Sequence, residues 1–152
     1  MLDIGCGTAD IVAFLPQGCQ YQGIDVHLPY IRYARKHYPQ QHFQHGNWSS
    51  AETGADTVLL LGVLHHLNDV QAQAALSHAW SLVNPGGTLL TLDGVRLPDR
   101  RQSEEFLYAI DRGSHIRTPR GYAALFPKTP ALNVHQWLRL PYRHLVCTLR
   151  NT

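Results

Sequence analysis

The chain is most easily bounded by what it lacks. No apolar run is long enough to cross a membrane, so no membrane span is expected. No secretory leader is expected either. The formal net charge is only +2, too little to indicate a nucleic-acid partner. Cysteine is scarce: Cys6, Cys19 and Cys147 form an odd set with no metal-ligand or disulfide spacing. They read as reduced thiols of a cytoplasmic protein. No G-x-S-x-G is present, which argues against a serine hydrolase. Repeats, low-complexity tracts and linkers are missing too. What remains, 44% hydrophobic and 16% charged over 152 residues, is an ordinary globular composition, expected to form a single domain over residues 1–152.

The most informative stretch is the first, MLDIGCGTAD. It reads as a short strand, a glycine turn and the start of a helix. Gly5 and Gly7 allow a tight bend and let a ligand approach a backbone that carries no Cβ. The helix that follows aims unpaired N–H groups at that ligand. Eighteen residues after Gly7, Asp25 ends a second apolar run, YQGIDV. An acid at about that distance is suited to accept hydrogen bonds from ribose hydroxyls. The pattern therefore predicts a site for a nucleoside-containing cofactor. A dinucleotide fingerprint would need a third glycine where Asp10 stands. Asp3 and Asp10 are poor neighbours for a pyrophosphate and good ones for a cationic ligand, which disfavours a nicotinamide oxidoreductase.

The rest of the chain alternates strands and helices. Ile11, Val12, Phe14 and Leu15 give a short helix an apolar face, ended by Pro16 and Gly18. Strand two covers Tyr21 to Val26. Pro29 opens a helix to about Tyr38, with Tyr30, Ile31, Ala34 and Tyr38 at helical spacing. A weak third strand, His42 to Gln44, leads into HGNW. Thr57 to Leu61 is a continuous apolar run, as a parallel strand buried on both faces requires. Gly62 lies at its carboxyl end, where open α/β sheets bind ligands. Asn68 and Gln71 resemble a capping box for a helix from Asp69 to Val83. Asn84-Pro85-Gly86-Gly87 ends it, and strand five spans Thr88 to Asp93. Beyond Gly94 a helix is expected over Ser103 to Arg112. A short one follows from Pro119 to Phe126, capped by Thr118. Strands are expected over Leu132 to Leu138 and His144 to Leu149.

LDIGCGTAD and the landmarks after it resemble the class I S-adenosylmethionine-dependent methyltransferases, in particular the small-molecule, type 11-like group. Ala9 replaces the last glycine of that family's first motif. The resemblance is strongest from Met1 to Asp93. It implies a doubly wound, mostly parallel α/β sheet, Rossmann-like, with an antiparallel C-terminal hairpin. Cofactor binding would lie within about residues 1–94, and an acceptor region and the hairpin within about 95–152. Relatives usually carry tens of residues before the first strand, so the chain is expected to be truncated at its N-terminus.

S-adenosylmethionine is then the implied cofactor. Its implied contacts are Asp3, Gly5, Cys6, Gly7, Asp25, Val26, Asn47, Trp48, Leu61 and Gly62. Asn47 matches the family's adenine-amino contact. Trp48 packs on the adenine ring or in the core. Leu61 and Gly62 match the carbonyls that hold the methionine ammonium. The implied reaction moves a methyl group to an oxygen, nitrogen or carbon of a small-molecule acceptor. The alternative is an inactive binding or partner protein that keeps the fold. Since the cofactor already activates the methyl group, the family does not fix a catalytic residue. His65, His66 and His115 are the acid–base candidates; His65 and His66 otherwise cap or pack the loop. Arg112, Arg117, Arg120 and Tyr122 are candidates to shape the acceptor site, the arginines through an anionic group. His42 and His45 sit on a strand and its exit, so no metal site is expected.

Overall fold

The computed structural model describes residues 1–99, 108, 114–136 and 142–152. Seven strands make one sheet: β1 (Leu2–Ile4), β2 (Gln22–Asp25), β3 (His42–His45), β4 (Ala55–Leu61), β5 (Val83–Gly94), β6 (Ala131–His135) and β7 (His144–Arg150). Their order is β3-β2-β1-β4-β5-β7-β6. The first five are parallel, whereas β7 runs antiparallel to both β5 and β6. This is the expected class I topology. The chain reverses direction across the sheet between β1 and β4, so a crevice opens at the carboxyl ends of β1, β2 and β4.

Two helices cover opposite faces. α1 (Leu28–His37) buries Ile31 and Ala34, which join Ala9, Tyr21 and Phe43 in one cluster. α2 (Asp69–Ser81) buries Ala72, Ala75, Leu76 and Ala79 in the larger cluster on the other side. The small alanines let α2 lie close to the sheet. Its start has the capping box in full: Asn68 accepts from the Gln71 amide at 2.9 Å, and Gln71 accepts from the Asn68 amide at 3.3 Å. Val58 and Leu60 are fully buried, and Leu59 nearly so, which is why β4 reads as an unbroken apolar run. α3 (Pro119–Ala123) starts at Thr118, whose hydroxyl accepts from the Gly121 amide at 3.1 Å. No helix among the described residues is long and apolar enough to cross a membrane.

Expectations for two segments differ in detail. The segment after the glycine turn is a 3-10 helix, Asp10–Phe14. So short an element cannot turn four apolar side chains onto the sheet, and Phe14 is left 86% exposed. α2 ends at Ser81, and β5 starts at Val83, before Asn84-Pro85-Gly86-Gly87. Those residues form an irregularity inside β5: pairing jumps from Ala55 with Val83 to Thr57 with Thr88. Asn84 Nδ2 and Asn151 Nδ2 bond to Asp56 and to the Val83 carbonyl, and so hold the kink from both sides. The expected helix at 103–112 lies outside the described residues, apart from Tyr108. Tyr108 is buried, and its hydroxyl donates to the Val95 carbonyl at 2.7 Å.

Candidate functional site

The glycine turn is built from left-handed backbone. Gly5, Gly7 and Ala9 have φ of 80°, 54° and 59°. The Gly5 and Cys6 amides donate to the Ile24 carbonyl at 2.7 and 3.0 Å, so the turn is tied to the end of β2. Gly5 also has no room for a side chain: a Cβ there would lie 2.5 Å from Val63 Cγ2. Ala9 takes a conformation that glycine adopts more easily, and its methyl is buried.

Beside this turn lies a cavity of about 570 Å³, within the usual size of a ligand site. The carboxyl ends of β1 and β2 line it through Ile4, Gly5, Gly7, Ile24, Asp25 and Val26. His27, Tyr30, Gly46 and Trp48 form one side. Gly62, Val63, His66 and Leu67 form the other. Among the described residues, no lysine or arginine lines it.

Of the expected cofactor residues, Gly5, Gly7, Asp25, Val26, Trp48 and Gly62 meet at this cavity. Asp25 is mostly buried. Its Oδ2 accepts the Gly7 amide at 2.9 Å and its Oδ1 accepts the His27 amide at 2.7 Å. The carboxylate thus braces the glycine turn from eighteen residues away. Gly62 has φ of 70° and donates its amide to the Leu92 carbonyl at 2.7 Å. Leu61 and Cys6 do not line the cavity. Burial, with Asp3 and Asp25 nearby, pushes the Cys6 thiol up to about 12, so it is a poor nucleophile.

Asp3 lies behind the cavity wall. Tyr21 donates its hydroxyl to Oδ2 at 2.6 Å, and Oδ1 is buried with no partner. Burial raises the Asp3 carboxyl to about 6; the Tyr21 hydrogen bond opposes that shift, and the Asp25 charge adds to it. Asn47 is turned differently from the expectation. Its Oδ1 accepts from the Ser49 amide at 3.0 Å and from both serine hydroxyls that follow. That oxygen is occupied as a cap, and Asn47 itself does not line the cavity.

The acid–base candidates are divided. His66 lines the cavity and is exposed. Its ring lies 4.1 Å from that of His65. His65 is buried. Its amide and its Nδ1 both approach Asp93 Oδ1, at 3.1 and 2.7 Å. Burial raises the Asp93 carboxyl, while the His65 contacts work in the opposite direction. His115 donates its amide to the His65 carbonyl at 2.9 Å.

Two acceptor-site candidates bond within the fold. Arg117 does not line the cavity and is 10% exposed. Its guanidinium bonds to the carbonyls of Leu64, Leu67 and His115 and to the Asp69 carboxylate, at 2.7–3.0 Å. It fastens the His65–His66 loop to the start of α2. Tyr122 is buried beneath it and donates its hydroxyl to the Gly94 carbonyl at 2.9 Å. The polar groups of both are taken up inside the fold. Arg112 lies outside the described residues.

His27, Tyr30, Gly46, Val63 and Leu67 line the cavity without having been expected there. The signal for the first two was their position just after Asp25, at a helix start marked by Pro29. Gly46 directly precedes Asn47, and Val63 directly follows Gly62.

No curated protein sequence matches the chain. Solved structures do match, and their identities are low enough that they speak for the fold. Human N-acetylserotonin methyltransferase, in complex with SAM, is 23% identical at a TM-score of 0.74; the match covers 97% of this chain and 46% of that one. Mitomycin 7-O-methyltransferase is 21% identical at 0.80, covering 98% and 48%. Magnesium protoporphyrin IX methyltransferase from Synechocystis PCC 6803, with bound SAH, is 17% identical at 0.76, covering 99% and 73%. The chain spans about half the length of the first two. A family profile described as "Methyltransferase domain" matches residues 2–89, more than half of the sequence. With the motif, the sheet order and that match in agreement, the chain belongs to the methyltransferase domain family.

Proposed function

We propose that this chain binds S-adenosylmethionine at the carboxyl ends of β1, β2 and β4. It then transfers the methyl group to an oxygen, nitrogen or carbon of a small-molecule acceptor. The observation that carries the reading is the joining of Gly5, Gly7 and Asp25 at one cavity that, among the described residues, no lysine or arginine lines. Among the described residues, a phosphate-bearing cofactor would find no lysine or arginine there. A ribose joined to a cationic chain suits Asp25 and the negative field of the buried Asp3 behind it.

The residues divide the work. Asp25 accepts from the ribose. Val26 and Trp48 flank the adenine. The Gly62 carbonyl faces the ammonium. S-adenosylmethionine supplies a methyl group already activated by its sulfonium. The protein's task is therefore alignment and exclusion of water. An acceptor hydroxyl also needs a site for its proton. His66, at the cavity wall, is the candidate, with His65 held behind it by Asp93.

Calorimetry tests the reading. S-adenosylhomocysteine should bind the wild-type protein, and NADH should bind at least tenfold more weakly. Equal affinity for NADH, or no binding of either adenosyl ligand by folded protein, overturns it.

A further inference from the structure

Asp25 is crowded with this chain's own donors. Oδ2 accepts the Gly7 amide at 2.9 Å, and Oδ1 accepts the His27 amide at 2.7 Å. The His27 imidazole then lies on the same Oδ1, with Nδ1 at 3.1 Å. A carboxylate only accepts, so Nδ1 carries the hydrogen of this contact. A carboxylate offers about four lone-pair positions, and the protein's own donors fill three of them. One remains for the two hydroxyls of a ribose.

The imidazole is the member of this set that can leave. The two amides are fixed by the glycine turn and by the start of α1. The His27 side chain is 65% exposed and makes no capping bond to α1. Its other recorded contact is with the Tyr30 ring, 5.2 Å away on the same side of the cavity. A turn about χ1 would carry it into solvent.

We propose that His27 is a positioning residue that competes with the ribose for Asp25. It steadies the carboxylate and yields its place to a hydroxyl, and it thereby weakens the hold on the adenosyl group. A weaker hold applies equally to the demethylated product and speeds its departure. The proposal rests on the reading of Asp25 as the ribose acceptor.

The test titrates S-adenosylhomocysteine into wild type, His27→Ala and His27→Phe, each with Asp25 intact and with Asp25→Asn. The Phe variant keeps a ring against Tyr30 and loses the nitrogen. Both His27 variants should bind about fivefold tighter than wild type, the effect of one net hydrogen bond. The gain should vanish in the Asp25→Asn background. It should also vanish for an S-adenosylhomocysteine analogue that lacks the 2′-hydroxyl. Unchanged or weaker binding by the folded Phe variant overturns the proposal, and so does tightening by Ala alone, which would mark a purely steric effect. If Asp25→Asn binds as well as wild type, the ribose reading falls, and the role of His27 falls with it. If Asp25→Asn weakens binding while the His27 variants do not tighten it, the ribose reading stands and the competition is refuted.

Discussion

The two sides of the cavity are made by different means. On the β1–β2 side the shape comes from backbone: three consecutive odd positions in left-handed conformation, tied by amides to β2 and to one carboxylate. On the β4–β5 side it comes from side chains reaching across the fold. Asp93 holds His65, and Arg117 gathers three carbonyls and Asp69 around the same loop. The backbone side is suited to a ligand that stays the same, because its shape is held by groups present in every residue and by one carboxylate. The side-chain side can be altered by single substitutions, which suits an acceptor that differs between relatives.

The sharpest way to break the first side is Gly5→Ala. The left-handed backbone costs about 1–2 kcal/mol with a Cβ present, and forcing that Cβ into Val63 costs about 1–3 kcal/mol more. Urea denaturation should show a loss of roughly 3–4 kcal/mol. Adding Val63→Ala should return the packing part and leave the backbone part.

Asp3 gives the next largest effect, and its sign is opposite. Its folded carboxyl sits near 6 against an ordinary 3.8. The folded state therefore holds the proton more tightly than the unfolded chain does. Stability from this group is complete below about pH 4 and is lost as pH rises to about 6. The loss at neutral pH is on the order of 3 kcal/mol. Asp3→Asn keeps an acceptor for Tyr21 and removes the buried charge. It should melt higher at pH 7, lose the pH 4–6 dependence, and bind S-adenosylmethionine more weakly. A variant no more stable than wild type would mean that Asp3 is not strained by burial.

The second side should yield to Arg117→Met, which keeps the aliphatic packing and removes the donors. A cost of about 2 kcal/mol is expected from the carbonyls left without a partner. The Asp69 end is exposed and adds little. If the two sides are separable, turnover should fall much further than affinity for S-adenosylhomocysteine, measured by calorimetry on folded protein. An equal fall in both would show that the loop also holds the cofactor.

The same contrast explains what could be read from sequence. The glycine turn, the Asp25 spacing, the β4 run and the Asn68–Gln71 cap are local, and local patterns carry their own geometry. His65 and Asp93 are 28 residues apart, and Arg117 reaches 53 residues back to Leu64. No spacing rule announces such pairs, so Arg117 and Tyr122 looked like surface candidates. Position points to Asn47 as an adenine contact, but Ser49 and Ser50 occupy its carboxamide oxygen, competing donors that a motif does not weigh. Phe14 was assigned to a buried face because its pattern fits an α-helix, which the chain does not form there.

The contact between Gly5 and Val63 also has a mechanical meaning. It locks the lip of β1 against the lip that follows β4, and this seam cannot part without pulling on both strands. The opposite margin, formed by His27 and Tyr30, rests on one short helix and carries the His27 imidazole on Asp25. A nucleoside must therefore pass over the α1 margin, and a substitution that stiffens this margin should slow arrival and departure alike while leaving the equilibrium between them unchanged.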